Sequence, residues 1–416
     1  DDLLKGGDGN DFIEGGPGND DINGQWGYDY VFGGDGDDTV SGGGDNDIIT
    51  GGPGNDTLSG GGGEFDLLDY LRDGGDGGVN VNLPAGTATD TWGDEDTLGA
   101  FSAVRTTNLP DRIIGNADRA TVVLALGGND YIMGGRRADI LMGNTGDDTI
   151  HACGAQSDGG DEASSCLNGD WVADRDLVLG GSGNDDIYGY TSVDYLFGDG
   201  DELLGFGPGA PTPFDTNGNR IPDFELGEPN PFDPAMPQNI EILSFRLIVE
   251  RVLRDPDTNE YTQMVPPTSS AFAIGADRIW GGPGDDVVVG GAGGDELYGD
   301  GRYEESPGSG TYVDTSGRDF IWGDLHVPLG KPPFFPDTLA AGNDTIAGGP
   351  RVDVIYGCGG HDTIYGDLEN GRETAGTGFW GESIAWDDII YGDYDYDYLD
   401  VDGFPLSRYW DDGIWE

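Results

Sequence analysis

Residues 6–59 read GGDGNDFIE GGPGNDDIN GQWGYDYVF GGDGDDTVS GGGDNDIIT GGPGNDTLS, six nine-residue blocks in direct succession. The sixth place is Asp in every block: Asp11, Asp20, Asp29, Asp38, Asp47 and Asp56. The eighth is always aliphatic: Ile13, Ile22, Val31, Val40, Ile49 and Leu58. Glycines in the first half allow backbone angles that a side chain forbids, so the chain can turn tightly and present its carbonyls. The second half alternates polar and apolar, which predicts a short strand with one inward side chain. Two blocks then make one coil of a flattened helix. Stacked coils predict an all-β fold, a parallel β-roll or β-solenoid, with the eighth-position aliphatics between two parallel sheets. A flexible Gly/Asp-rich linker has no reason to keep an aliphatic at every eighth place.

The turns stack too. Each sixth-position carboxylate is expected beside glycine carbonyls and the Asp of the next coil. An edge lined with such oxygens suits a hard cation with oxygen ligands at about 2.3–2.6 Å, which makes it calcium. Composition agrees. The 416 residues carry 80 acids against 19 Lys and Arg, a formal charge of −61. Such a balance often means disorder. Here 35% of residues are hydrophobic and 10% aromatic, and the acids are regularly spaced, so many bound calcium ions are expected to neutralise them. The same surface repels nucleic acid. No apolar window reaches the roughly 18 residues of a transmembrane helix.

The GGxGxDxUx pattern resembles the repeats-in-toxin, or hemolysin-type, calcium-binding repeat. The resemblance implies a secreted chain, through a bacterial type I route, that folds when it meets calcium outside the cell. Residues 1–68 form the first β-roll, with Asp2 and Asp66 in the same register. Residues 69–124 resemble the bridging segment of that family, with a strand at Val79–Leu83, a G-T-A turn and a D-T-L strand; from Phe101 to Thr107 the likeness is poor. Residues 125–203 resume the roll with Asp130, Asp139, Asp148, Asp176, Asp185 and Asp194. Within them, Cys153 and Cys166 either form a disulfide across a short loop or remain thiols. Residues 204–273 read as a satellite insertion. There, Asp215, Asn217, Asn219 and Asp223 resemble an EF-hand-like calcium loop, though Arg220 stands where that loop usually has Gly, and an ordinary polar loop also fits. A hairpin is expected over residues 241–265. Residues 274–416 return to the roll with Asp277, Asp286, Asp295, Asp319, Asp344, Asp353, Asp362, Asp388, Asp397 and Asp412. Long excursions open after Gly198, Gly299, Gly323 and Gly366, at turn positions, where a solenoid tolerates insertion.

The ninth position points away from the core. It is mostly polar in the first block, then becomes Met133, Met142, Leu179, Phe197, Trp280, Val289 and a run of tyrosines. Such a face needs a cover. The chain's own loops, a neighbouring subunit and a carbohydrate all fit. The chain opens and closes on strand halves, which reads either as a piece of a longer protein or as ends that dock head to tail into a homopolymer.

No catalytic signature stands out. His151, His326 and His361 are isolated, and neither a G-x-S-x-G elbow nor a P-loop is present. The chain therefore reads as a non-enzyme. Two functions compete: a calcium-rigidified subunit of an extracellular filament, surface layer or matrix, and the calcium-triggered folding and secretion module of a larger exoenzyme, toxin or adhesin.

Overall fold

The structure is a computed structural model. It describes residues 1–154 except 64 and 136, residues 176–190, 194–198, 275–282, 286–291, 293–299, 319–323, 343–348, 353–357 and 361–365, and short strands between 368 and 406. Asp215, Asn217, Asn219, Asp223, Asp388, Asp397, Asp412, Cys166, the satellite insertion and its hairpin lie outside the described residues. Cys153 is disulfide-bonded. Every regular element among the described residues is a strand, and no helix is long and apolar enough to cross a membrane. The chain divides into two compact units, Asp1–Val178 and Leu179–Glu416.

In the first unit the strands alternate between two sheets. One holds β1 (Leu3–Asp8), β3 (Asp21–Trp26), β5 (Thr39–Gly44) and β7 (Thr57–Gly62), while β2 (Phe12–Pro17), β4 (Tyr30–Asp35), β6 (Ile48–Thr50) and β8 (Leu67–Asp69) form the other. Pairing is parallel, and Leu4 faces Ile22, Ile22 faces Val40 and Val40 faces Leu58, each 18 residues on. The nine-residue beat is therefore half a coil. Ile22, Val31, Ile49, Leu58 and Leu68 are fully buried between the sheets. Burial of these aliphatics, at roughly 25 cal/mol per Å² of apolar surface, holds the two sheets together.

The bridging segment adds β9 (Asn80–Asn82), β10 (Thr87–Thr89), β11 (Glu95–Leu98), β12 (Ala103–Arg105), β13 (Arg112–Ile114) and β14 (Val122–Leu124). The first three form an antiparallel meander laid into the parallel stack. Leu98 continues the column from Leu58, β10 runs antiparallel to both its neighbours, and Val81 hands on to Ile113. This corrects one expectation. Residues 86–88 are not simply a turn, because Thr87–Thr89 is the central strand with Ala88 buried. The chain reverses on either side of it, where Gly86 N–H meets Leu83 O at 3.1 Å and Gly93 N–H meets Asp90 O at 3.2 Å. Gly86 takes φ 68° there, a conformation that costs a residue without Cβ little. The poorly matching stretch 101–107 contains β12, buried and paired parallel with both β8 and β14. The roll then resumes with β15 (Tyr131–Met133), β16 (Ile140–Thr145) and β17 (Thr149–His151).

The second unit repeats the plan. Asp186–Tyr188, Arg278–Trp280, Glu296–Tyr298, Thr345–Ala347, Thr363–Tyr365 and Tyr398–Val401 pair in parallel. Tyr195–Phe197, Val287–Val289, Phe320–Trp322, Val354–Tyr356 and Ile389–Tyr391 do so in the opposing sheet. Ile187 pairs with Ile279 across 92 residues of sequence, and both are fully buried. The ladder thus runs directly from Tyr188 to Trp280 in register.

Candidate metal centre

Strand pairing brings the sixth-position acids into columns along the turn edges. On one edge of the first unit, Asp2 N–H donates to Asp20 Oδ1, Asp20 to Asp38 and Asp38 to Asp56, at 2.5, 2.7 and 2.8 Å. On the other, Asp11 donates to Asp29, Asp29 to Asp47 and Asp47 to Asp66, at 2.9, 2.8 and 3.0 Å. Further on, Asp130 Oδ1 accepts from Asp111 N–H, Asp148 from Asp130 and Asp176 from Asp139. The second unit has the same ladder. Asp185 donates to Asp277, Asp277 to Asp295, Asp295 to Asp344 and Asp344 to Asp362. On its other edge Asp194 donates to Asp286, Asp286 to Asp319 and Asp319 to Asp353. All described acids of the pattern except Asp2 and Asp11 are buried.

Each carboxylate that accepts in this ladder spends one oxygen on it. The other oxygen decides the chemistry. Oδ2 of Asp11, Asp20, Asp29, Asp38, Asp47, Asp56, Asp130 and Asp295 is buried without a hydrogen-bond partner. Except in the turn of Asp130, whose first position is Ala125, it folds back over the first-position glycine of its own turn. A methyl placed on Gly6 would lie 2.5 Å from Asp11 Oδ2 and 2.6 Å from the Gly24 carbonyl oxygen of the next coil. On Gly33 it would lie 2.6 Å from Asp38 Oδ2 and 2.5 Å from Gly51 O. A carboxylate oxygen and a carbonyl oxygen therefore lie close together; the carbonyl of Gly51 takes the Gly34 N–H at 2.9 Å, but the carboxylate oxygen has no donor. Such an arrangement is unfavourable unless a proton or a cation lies there.

Electrostatics point the same way. Burial raises the Asp47, Asp56 and Asp148 carboxyls to about 7 and that of Asp130 to about 9. Neighbouring acids push further in the same direction: Asp66 and Asp29 on Asp47, Asp38 on Asp56, Asp148 on Asp130. An oxygen set of carboxylates and carbonyls is the donor chemistry that calcium takes, in shells of about six to eight. Nowhere among the described residues do three acidic, His or Cys side chains converge on one point. Backbone carbonyls must complete any site, which is why the turns need glycine. The second- and fourth-position glycines have φ between 91° and 140° from Gly7 to Gly61, and Gln25 and Asp45 take positive φ at equivalent places.

Two acids of the pattern were missed by reading consecutive nine-residue blocks. Asp96 Oδ1 accepts from Asp56 N–H at 2.9 Å, and Asp111 Oδ1 accepts from Val79 N–H at 2.6 Å. Both begin D-x-U half-blocks, Asp96-Thr-Leu98 and Asp111-Arg-Ile113, and that half-motif alone would have found them. Elsewhere the acid is replaced. On the edge that carries Asp66, the next two places are Ser102 and Thr121, whose backbones continue the ladder to Asp139. Arg119 Nη2 donates to Ser102 Oγ at 2.9 Å, and its charge lowers the Asp66 pKa against the larger effect of burial. A guanidinium thus serves where the carboxylates lapse. His361 sits exposed at a fifth position, its N–H on Asn343 Oδ1 at 2.8 Å.

Six segments, residues 1–31, 32–64, 124–152, 172–202, 273–301 and 340–372, match the family model of the RTX calcium-binding nonapeptide repeat. No curated protein matches the chain.

Proposed function

Since this chain is a hemolysin-type calcium-binding repeat protein, we propose that it is a secreted structural β-solenoid, folded and stiffened by calcium outside the cell and built into a filament, surface layer or matrix. The observation that carries the reading is the row of buried Oδ2 atoms, of which those of Asp11, Asp20, Asp29, Asp38 and Asp295 lie beside a glycine carbonyl of the next coil. Bound calcium supplies the positive charge and the coordination that such oxygens lack. The chain's own part is to hold the oxygens in register: strand pairing fixes the spacing and the Oδ1 ladder orients each carboxylate. Without cations, 80 acids repel and the buried carboxylates oppose folding. A site that exists only in the folded coil links the two equilibria, at about 2.7 kcal/mol per site when free calcium is 100 times its Kd. Low calcium inside a cell then keeps the chain unfolded and exportable.

Aromatic side chains on the sheet faces support self-association. Phe12 is 58% exposed, stacks on Tyr30 at 6.0 Å and meets Phe32 at a tilt, 5.6 Å between ring centres. The reading includes no catalysis. Circular dichroism with and without chelator tests the first half: the β signal should collapse on chelation and return with calcium, and a spectrum indifferent to chelator overturns it. Electron microscopy of the calcium-loaded chain tests the second. Regular fibres are expected; calcium-dependent folding without assembly favours a folding module of a larger exoenzyme, toxin or adhesin.

A further inference from the structure

The buried acids of the first unit are satisfied in two different ways. In the regular roll, Oδ1 of Asp20, Asp29, Asp38, Asp47 and Asp56 each accepts a backbone N–H, while Oδ2 is buried with no hydrogen-bond partner. Between residues 69 and 124 the chain itself supplies donors to both oxygens. Asp69 takes the Arg105 guanidinium on its two oxygens. Asp73 Oδ1 accepts from Gly52 N–H at 3.0 Å and its Oδ2 from Thr91 Oγ1 at 2.5 Å. Asp96 accepts from Asp56 N–H at 2.9 Å and, on Oδ2, from Tyr70 OH at 3.5 Å. Asp111 accepts from Val79 N–H at 2.6 Å and, on Oδ2, from Thr107 N–H at 2.9 Å. All four acids are buried. Asp90 is the exception in this segment, with a buried Oδ2 that has no partner.

Hydroxyls extend the contrast. Ser102 and Thr121 fill acid places, where they bring no charge to neutralise. Thr121 Oγ1 accepts from Asn116 N–H at 2.8 Å, and Ser102 Oγ from Arg119 Nη2 at 2.9 Å. A buried acid whose oxygens both accept protein donors does not oppose folding as an orphaned one does. The segment also has a core of its own. Val81, Val104, Ile113 and Val123 are fully buried, and Tyr70 and Phe101 are among the largest side chains that are. Coils stack on it from both sides: β11 and β12 pair in parallel with β7 and β8, and β13 and β14 with β15 and β16.

We propose that residues 67–124 are the folding nucleus of the first unit, ordering ahead of the repeat coils on donors that the protein supplies, with calcium then adding coils on both sides. In a solenoid each coil touches only its neighbours, so folding starts where the chain is locally most stable and spreads from there. The inference rests on the calcium reading of the repeats and adds where folding begins.

The test is hydrogen exchange of the full chain, resolved by peptide, across a calcium series that starts in chelator. Peptides within 67–124 should become protected at a calcium midpoint several-fold lower than peptides within 1–59 or 125–151. Asp38→Asn should raise the midpoint of residues 1–59 and leave that of 67–124 in place. Thr91→Val, which removes the hydroxyl donor to Asp73, should raise the midpoints of all three segments together. Protection of all three at one midpoint overturns the proposal, as does protection of either roll first, or an Asp38→Asn chain in which 67–124 is delayed equally. Rolls that stay unprotected in saturating calcium beside a protected 67–124 overturn the calcium reading of the repeats instead.

Discussion

Arg105 lies directly opposite Asp69 on the neighbouring strands β12 and β8, its Nε 2.8 Å and Nη2 2.6 Å from the two carboxylate oxygens. The pair joins residues on either side of the meander, and both side chains are buried. Tyr30 OH donates to the same carboxylate at 3.3 Å, and Thr50 Oγ1 to the Asp69 carbonyl at 3.0 Å. A bidentate guanidinium fixes which residue faces which, so the pair sets the register in which the chain re-enters the roll. It does so without metal.

Arg105→Met should therefore destabilise the calcium-loaded fold by about 3–5 kcal/mol, because it leaves Asp69 charged and buried. Arg105→Met with Asp69→Leu should recover most of that loss. Urea unfolding in saturating calcium measures both, and equal stabilities of the single and double variants would show that the charge pair does not decide the register.

The regular coils were legible in the sequence because each position of the block has one physical job. Ile22, Val40 and Leu58 recur every 18 residues, and nothing but a stacked coil buries them all. The same logic found the Asp ladders. It failed at Thr87–Thr89, where a strand carries only the small Ala88 inward and looks like a turn, and at Ser102 and Thr121, where hydroxyls occupy acid places. The bond from Gly52 N–H to Asp73 Oδ1 was invisible for another reason: no local period encodes it. At the apolar ninth positions, Met133, Met142, Phe197 and Trp280 are all buried, and Met133 packs on Ile114 and Tyr131.

Sixth- and fifth-position acids should behave differently. Asp38 is buried with Oδ2 aimed at a carbonyl, whereas Asp37 is exposed and its Oδ1 accepts from Asn55 N–H at 3.0 Å. Asp38→Asn removes a charge from the proposed ion and should weaken its site about tenfold, the equivalent of roughly 1.4 kcal/mol. Asp37→Asn should leave calcium affinity nearly unchanged. Isothermal titration of both variants checks the contrast, and equal effects would mean that the column of sixth-position oxygens is not the ligand set.

The calcium-free chain should prefer acid. Burial holds the folded carboxyls of Asp47, Asp56 and Asp148 at about 7, Asp96 at about 8 and Asp130 at about 9, against roughly 3.9 for an unfolded Asp. Between those values the folded state binds more protons than the unfolded one, so stability falls as pH rises. Their contribution is whole below about pH 4 and gone above about pH 9. Circular dichroism in excess chelator should show residual β structure near pH 5 that disappears toward pH 8. A calcium-free β signal that grows with pH would contradict the burial of these acids. Calcium binding at neutral pH should also release protons, seen as a buffer-dependent heat.

Gln25 occupies a second turn position with φ 84°, where Gly7, Gly16, Gly34, Gly43, Gly52 and Gly61 stand in neighbouring turns. A left-handed backbone strains any residue with a Cβ by about 1–2 kcal/mol. Gln25→Gly should relieve that strain, offset in part by the greater entropy glycine has when unfolded, and stabilise the loaded fold by a few tenths to about 1 kcal/mol. The reverse change at Gly43, φ 121°, adds a steric cost to the strain. Its Cβ would run into the Gln25 carbonyl oxygen of the previous coil, a backbone atom that cannot swing aside. Gly43→Ala should therefore cost well over 1 kcal/mol and raise the calcium concentration at the folding midpoint. Calcium titrations followed by circular dichroism order the three chains: Gln25→Gly at the lowest midpoint, the native sequence next, Gly43→Ala highest. If Gly43→Ala folded as readily as the native chain, the coils would have to be farther apart than these turns require.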